Sequence, residues 1–446
     1  MIAMSFIEKY PFANFMNQKH IDYDTALIKD DVNINVCMIG FGATNRQIFL
    51  TSVANNQFLT KSETDADGVK LKQARYYIFD KVNAENNKNL NHSYYRYRNE
   101  YLEKEGIKKE DYLPLPQVPA IEDYFQLDVN DINFYNVIRQ SIESKNKKDA
   151  SYVIIAYGTD LENIDMAQKL VEKSKEWGID NLVIFVKVRK ACNYPKLFDG
   201  KKVIMIGNEK QYVYNLEEIT NDEIYRMAKM RNSEYDLEYE IAHTENFVVN
   251  DTNVKAVNKA SDKRWYIERT QLERDSSVYC CLSLRSKLNL MGLDYCKSDE
   301  NPACPALSEE EYLDLYAVGD KPVFKNNDGE VNGKKIVSYT LDFPPSKRKN
   351  LAILEHYRWN SYMISKGLVP SSKAQILAEP KHGKDYSLRR HGNLTTFEGL
   401  TEFSQIVAKK KNTTQLNEDV IKYDYQLLDD AYWLLNKNGY KIIKKV

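Results

Sequence analysis

The sequence predicts a doubly wound α/β region with a parallel, Rossmann-like sheet, followed by a mainly helical half. Short apolar runs alternate with helical segments between residues 33 and 207. The first of these runs ends in a glycine turn that opens a helix. Beyond residue 215 the strand-like runs give way to helical spacing. Strands that alternate with helices form a parallel sheet covered on both faces, which is the basis of the predicted fold class.

Length and composition limit the functions to consider. The chain has 446 residues, and its 63 lysines and arginines almost balance 64 acids, for a formal net charge of -1. This length predicts two or three domains of roughly 150 residues. The charge balance argues against nucleic acid and against a membrane surface as partners. The sequence has no apolar run of about 20 residues and no pattern of a secretory signal, so we predict a cytoplasmic protein without direct membrane insertion.

The cysteines and histidines predict a reduced protein without a structural metal. None of the six cysteines forms a C-x-x-C pair, and the six histidines do not bracket them at zinc-ligand spacing.

The predicted strands and helices of the first half follow the apolar runs. A short helical lead-in covers about the first 30 residues. The strands are predicted at 33–42, 73–80, 122–131, 151–158, 181–188 and 201–207, and the helices at 43–57, 132–144 and 161–178. Two stretches, 58–72 and 81–119, are predicted insertions. The Rossmann-like domain is therefore predicted to span 31–212.

The second half is predicted to contain a helical connector at 213–300 and a helical domain at 301–446, with its core at 350–440. The clearest helical patterns lie at 263–292, 350–367 and 424–439, while 301–348 has the composition of turns.

The glycine turn is the first candidate site. Gly40 and Gly42 follow the first strand, Thr44 and Asn45 open the helix, and Asp80 ends the second strand. In a dinucleotide site the glycines let a pyrophosphate approach the helix N-terminus, and the acid accepts from a ribose. Asn45 stands at the position of the third glycine. Nucleotide binding and a nucleotide-free interaction scaffold are both open interpretations of this turn.

The order GFGATN, YYIFD, FQLDVND, VIIAYGTDLENIDMA and LVIFVKVR resembles the NAD-binding domain of potassium-uptake regulators, the RCK type. The resemblance covers about 33–210. It implies a ligand-gated regulator that binds NAD(H) or another adenine nucleotide, forms a homodimer, and acts on a membrane channel or effector encoded separately. The further ligand residues that the resemblance implies are Asp128, Gly158, Thr159, Asp160, Asn163 and Arg189.

The second candidate site lies in the predicted helix 350–367, in the segment Glu355-His356-Tyr357-Arg358-Trp359. On spacing alone this is a packing helix with ion pairs between residues three apart. The runs LAILEHYRWNSYMISKGL, RRHGNLTTFEGL and KYDYQLLDDAYWLL resemble the ryanodine-receptor repeat in its bacterial form.

That second resemblance implies that the helical domain binds a nucleotide-derived ligand. The implied settings for such binding include phage defence. Trp359 would stack on the base, Arg358, Lys366 or His391 would meet phosphate, and Glu355 belongs to the same site.

The remaining sequence patterns give weaker evidence of function. Residues 94–98 alternate tyrosine and arginine, as on single-strand nucleic-acid surfaces, but the chain is neutral overall. The lysines at 409–411 are predicted to lie in a solvated loop. The sequence has no G-x-S-x-G, no H-E-x-x-H and no phosphate loop of the G-x-x-x-x-G-K-[ST] type.

From the two resemblances together, a cytosolic nucleotide-sensing regulator is the predicted function. The alternatives are an NAD-dependent oxidoreductase and a ligand-free scaffold, so enzyme activity stays open.

Overall fold

The computed structural model describes residues 2–65, 68–88, 108–117, 121–143, 148–179, 181–190, 198, 202–208, 223–302, 304–324, 331, 334–339, 344–412 and 419–445. The tyrosine- and arginine-rich segment 94–98 and Cys192 lie outside these residues, as do parts of the predicted insertion at 81–119.

A six-stranded, all-parallel sheet forms the centre of the first half and confirms the predicted α/β class. Its strands are β1 (Ile34–Ile39), β2 (Arg75–Asp80), β3 (Ile121–Gln126), β4 (Ala150–Ile155), β5 (Leu182–Lys187) and β6 (Val203–Ile206). Their spatial order is β6-β5-β4-β1-β2-β3, and Ile39 of β1 pairs with Phe79 on one side and Ile155 on the other. This is the order of a Rossmann-like sheet, in which the strand order reverses beside β1.

The helices occupy both halves of the chain. They are α1 (Ile2–Lys9), α2 (Ala43–Asn55), α3 (Phe134–Ile142), α4 (Asp160–Glu176), α5 (Glu223–His243), α6 (Asp251–Ile267), α7 (Gln271–Leu282), α8 (Leu284–Leu290), α9 (Glu309–Tyr316), α10 (Lys347–Ser365), α11 (Lys373–Ala378), α12 (Gly399–Lys410), α13 (Asp419–Asp429) and α14 (Ala431–Lys437).

Besides the 3₁₀ turns Phe12–Phe15 and Lys109–Asp111, the described residues form five two-stranded ladders. They pair Ile21–Asp22 with Leu27–Ile28, Leu59–Lys61 with Val69–Leu71, Leu293–Lys297 with Tyr440–Lys444, Val323–Phe324 with Val337–Ser338, and Val369–Pro370 with Arg390–His391. Within the predicted insertion at 58–72, Leu59–Lys61 and Val69–Leu71 thus pair as antiparallel strands.

Alternate residues of the sheet strands supply two separate cores, because successive side chains of a strand point to opposite faces. Cys37 and Ile39 of β1 belong to a core closed by α3 and α4. Val36 and Met38 belong to the core on the other face, which α1, the short 3₁₀ turn Phe12–Phe15 and α2 cover.

This second core continues without a break into the helical half. Helix α2 is buried on several sides, since α10 packs on the side away from the sheet. Gln57 donates to the hydroxyl of Ser361 on α10 over 3.0 Å, and the hydroxyls of Thr51 and Tyr279 lie 3.4 Å apart. One apolar cluster therefore joins the sheet to the helices that follow it.

Three predictions for the helical half were wrong in detail. The single helix predicted at 263–292 is the C-terminal part of α6 followed by α7 and α8, because Thr270 and Glu273 form a capping box that starts a new helix. The predicted turn-rich stretch 301–348 contains α9, and the predicted helix 424–439 is divided between α13 and α14 near Asp430.

The predicted solvated loop at the lysine run was also wrong. Lys409 and Lys410 end α12, and the ammonium of Lys410 donates to the carbonyls of Ile376 and Glu379. Cations at a helix C-terminus interact favourably with its dipole. Among the described helices, none combines the length and the apolar character that a membrane crossing demands.

Candidate functional site

The glycine turn between β1 and α2 lies against the end of β4. Gly40 has a φ of +78°, and a Cβ there would lie 2.6 Å from the Cα of Tyr157. Glycine is required at this position both by its conformation and by the close approach of the two backbones. Gly42 caps α2 with an ordinary φ of −72° and open space around it.

Asn45 is completely buried and takes the place of the third glycine of the dinucleotide fingerprint. Its amide nitrogen donates to the carbonyls of Ile39 (3.1 Å) and Gly40 (2.6 Å). In place of a glycine that permits close packing, the chain uses a side chain that ties the turn to the strand before it.

We expect Asn45→Ala to lower the free energy of unfolding by about 1–3 kcal/mol, because the carbonyls of Ile39 and Gly40 each lose a buried donor. Urea denaturation measures this. The control is Asn130→Ala, which removes an exposed amide bonded to Asp128 over 3.0 Å and should change stability by about 0.5 kcal/mol or less. Equal effects of the two substitutions would contradict the assigned role of Asn45.

The two acids predicted as ligand residues at the carboxyl edge of the sheet, Asp80 and Asp128, accept hydrogen bonds from the chain's own backbone. Asp80 accepts from the N–H of Phe41 (2.6 Å) through one oxygen and from that of Val82 (2.9 Å) through the other. Asp128 is exposed and accepts from the N–H of Asn130 over 2.9 Å. Each Asp80 oxygen takes a single backbone bond in these contacts, so a lone pair remains on each for a ribose hydroxyl.

The predicted residues after β4 form a second ordered turn at the same edge. Thr159 caps α4 in a capping box with Glu162. Asn163 is buried, and its carbonyl oxygen accepts from the N–H groups of Tyr157 and Gly158, both over 3.2 Å. Asp160 accepts from the backbone N–H of Arg189 over 3.0 Å. The structure therefore brings Gly40, Asp80 and these residues to one edge.

A cavity of about 580 Å³ lies in the helical half, between α5 and α7 on one side and α10, α13 and the 381–393 segment on the other. This volume is in the range of small-molecule sites. Six cationic side chains and three carboxylates line it among the described residues: Arg231, Arg269, Arg358, Lys381, Lys384, Lys411, Glu273, Glu355 and Asp424.

A buried charge triad lies at this cavity, and two of its members, Glu355 and Arg358, line it. Glu355 contacts both the ammonium of Lys287 and the guanidinium of Arg358, the latter over 2.8 Å. Burial alone would raise the pKa of Glu355, but the two cations outweigh it and hold this pKa at about 2. The triad has two positive charges and one negative charge at neutral pH. Nη1 of Arg358 is buried and has no hydrogen-bond partner among the described residues.

His356 connects three elements around the triad. Its Nε2 lies 2.9 Å from the carbonyl of Thr395 and must carry a proton, because a carbonyl only accepts. Its Nδ1 lies 3.1 Å from the carboxyl group of Asp424. Burial raises the pKa of Asp424, and His356 opposes that effect. The two ring nitrogens of His356 thus face the segment of Thr395 and helix α13.

Trp359 and His391 lie together in the same wall, with ring centroids 5.0 Å apart. Burial lowers the pKa of His391 to about 3, and its Nδ1 accepts from the N–H of Asn393 over 3.1 Å. The ring is therefore neutral at physiological pH and carries its proton on Nε2. Lys366 is not among the lining residues, and its ammonium lies over the rings of Tyr362 (5.3 Å) and Tyr279 (5.6 Å).

The opposite wall of the cavity was not predicted from the sequence. Arg231, Tyr235, Tyr239 and His243 all line the cavity from α5. They stand four residues apart, so they lie along one side of the helix. The spacing R-x₃-Y-x₃-Y-x₃-H is visible in the sequence, but nothing in the sequence alone says that this side faces α10.

The described residues contain no group of three or more His, Cys, Asp or Glu side chains placed to hold a metal ion. Comparison of the chain with protein-family models, with curated proteins and with solved structures gave no match.

Proposed function

We propose that the chain is a nucleotide-sensing regulatory protein whose helical cavity binds a nucleotide-derived anion. The observation that carries the proposal is Arg358, which lines a ligand-sized cavity, belongs to the buried triad with Lys287 and Glu355, and keeps an unpartnered Nη1. A buried N–H donor without an acceptor is costly for a folded protein. A bound phosphate would offset that cost and take the unpartnered Nη1 of Arg358 as a donor.

The rings of the cavity favour a nucleotide over a simple anion. Trp359 is half-buried beside His391, and Tyr386 lies with its ring under the ammonium of Lys384 at 4.7 Å. Aromatic rings of this kind bind the faces of bases.

The carboxyl edge of the sheet is a second candidate site, for NAD(H) or another adenine nucleotide. Gly40 brings the turn against β4, and Asp80 keeps lone pairs beside it. Carboxyl ends at the point of strand reversal are where open α/β sheets bind their ligands.

The test is thermal unfolding of the full chain with NAD, NADH, ADP-ribose, ATP, AMP and cyclic nucleotides. A ligand at about 100 times its Kd stabilises the folded state by about 2.7 kcal/mol, which raises Tm by several degrees. We expect Arg358→Met to abolish the shift of a cavity ligand, while Lys287 remains as a cationic partner of Glu355.

Two further variants separate the sites. Gly42→Asp places a negative charge at the start of α2 and should abolish only the shift of a ligand at the sheet edge. Arg139→Met removes an exposed pair with Glu143 (3.0 Å) on α3 and should leave every shift unchanged. A set of nucleotides that gives no shift in the unaltered chain, or shifts that survive Arg358→Met and Gly42→Asp alike, would refute the proposal.

A further inference from the structure

We propose that the cavity is a slot for a dinucleotide, with a phosphate group at its inner end and a base at each of two aromatic platforms. This inference rests on the proposed function and adds the size and direction of the ligand. By dinucleotide we mean two nucleosides joined by a phosphodiester, of which the inner one also carries the terminal phosphate.

The direction of the slot follows from the exposure of the α5 side chains. Arg231 is buried, Tyr235 is half-buried, Tyr239 is 48% exposed, and His243 is exposed. The cavity thus opens to solvent along α5, from the arginine end towards the histidine end.

Cationic groups converge on the buried end. Arg231 donates to the side chain of Gln426 (2.7 Å) and to the carbonyl of Tyr423 (3.1 Å), both neutral acceptors. Its Nε and the Nη1 of Arg358 have no hydrogen-bond partner among the described residues. Two buried guanidinium groups with unused N–H donors suit the oxygens of a phosphate.

Two stacked pairs of rings form the platforms beyond that end. Tyr235 stacks on Tyr423 with centroids 4.1 Å apart, and the guanidinium of Arg269 lies 5.8 Å from the centre of the Tyr235 ring. Tyr239 stacks on His243, also at 4.1 Å. Rings that already stack on each other have little freedom left, so the protein loses little conformational entropy when a base stacks on them.

The length of the slot decides between one nucleotide and two. From Arg231 to His243 the helix rises about 18 Å at 1.5 Å per residue. A nucleoside monophosphate anchored at Arg231 and Arg358 reaches the first platform, and the second platform lies one helical turn farther out. Two linked nucleosides span both.

Binding of mononucleotides and of 5′-phosphorylated, phosphodiester-linked dinucleotides, with each of the four bases, is measured by calorimetry on the full chain. We expect a dinucleotide to bind about tenfold or more tightly than its mononucleotide, since each stacked base contributes a factor of this order. Tyr239→Ala should remove that advantage and leave mononucleotide affinity unchanged. The control is Tyr266→Ala on α6, a 63% exposed tyrosine that does not line the cavity.

The outcomes separate the two proposals. Mononucleotides that bind as tightly as dinucleotides, or an equal loss for both with Tyr239→Ala, would overturn the slot and leave the nucleotide-sensing function standing. If none of these compounds binds in a manner sensitive to Arg358→Met, the cavity proposal itself fails.

Discussion

Lys334→Met should lower the free energy of unfolding by about 3–5 kcal/mol, the cost of removing one partner from a buried ion pair. Lys334 is buried between Glu234 of α5 and Asp430 at the start of α14, and its ammonium lies 2.9 Å from the Asp430 carboxyl group. Methionine fills the same space without the charge, so two carboxyl groups face each other with no cation between them.

The neighbouring lysine provides the matched control. Lys335 forms a partly exposed pair with Glu309 over 2.8 Å, so Lys335→Met should cost about 1 kcal/mol or less. Chemical denaturation of both variants measures the difference. Similar losses would mean that the Lys334 cluster is not an energetically coupled unit.

The pH dependence of the Lys334→Met deficit has a definite sign. Burial raises the pKa of Asp430 to about 7, although Lys334 draws it down. A raised folded pKa means that the folded state binds more protons than the unfolded state, so this group favours folding at low pH and loses that effect as pH rises through its folded pKa. Without Lys334 the pKa rises further. The deficit of Lys334→Met should therefore shrink as pH falls from about 8 to about 5.

Gly40→Ala should destabilise the protein by about 2–5 kcal/mol, which combines the strain of a left-handed backbone with overpacking. The new methyl group would meet backbone atoms of Ala156 (3.0 Å) and Tyr157 (2.6 Å), which cannot rotate away as a side chain can.

Gly178→Ala separates the cost of the left-handed backbone from the cost of overpacking. Gly178 has a similar φ of +67° but open space around it, so alanine there costs only the strain of about 1–2 kcal/mol. Thermal and urea unfolding of both variants give the comparison. If the two glycines cost the same, the close approach of the glycine turn to β4 has no energetic weight.

The sheet could be predicted from the sequence because its central strands β1, β4 and β5 are buried along almost their whole length and stand out as apolar runs. The edge strand β3, by contrast, has no buried residue. The helices of the second half were harder. The apolar spacing at 263–292 is continuous, and only the Thr270-x-x-Glu273 signal marks the break that the structure has. A capping box of local hydrogen bonds can end one helix and start another where hydrophobic spacing gives no warning.

Only one wall of the cavity, the one formed by α10, could be predicted from the sequence. The segment around Arg358 and Trp359 pointed to the α10 wall, whereas Arg231 and Tyr235 come from a helix more than 100 residues earlier in the chain. Their partners follow from how α5 packs on α13, which a single sequence does not reveal. The domain limits and the oligomeric state stay predictions.

The burial of α2 between the sheet and α10 has a consequence for synthesis. Phe49 packs on Tyr76 of the sheet at 5.1 Å, while Gln57 at the far end of the segment bonds Ser361. About 300 residues separate these last two partners, and a ribosome adds roughly 5–20 residues per second. The outer side of α2 is therefore exposed to water for tens of seconds after its inner side has a partner. Until α10 emerges, the nascent first half presents to chaperones a surface that the finished protein buries.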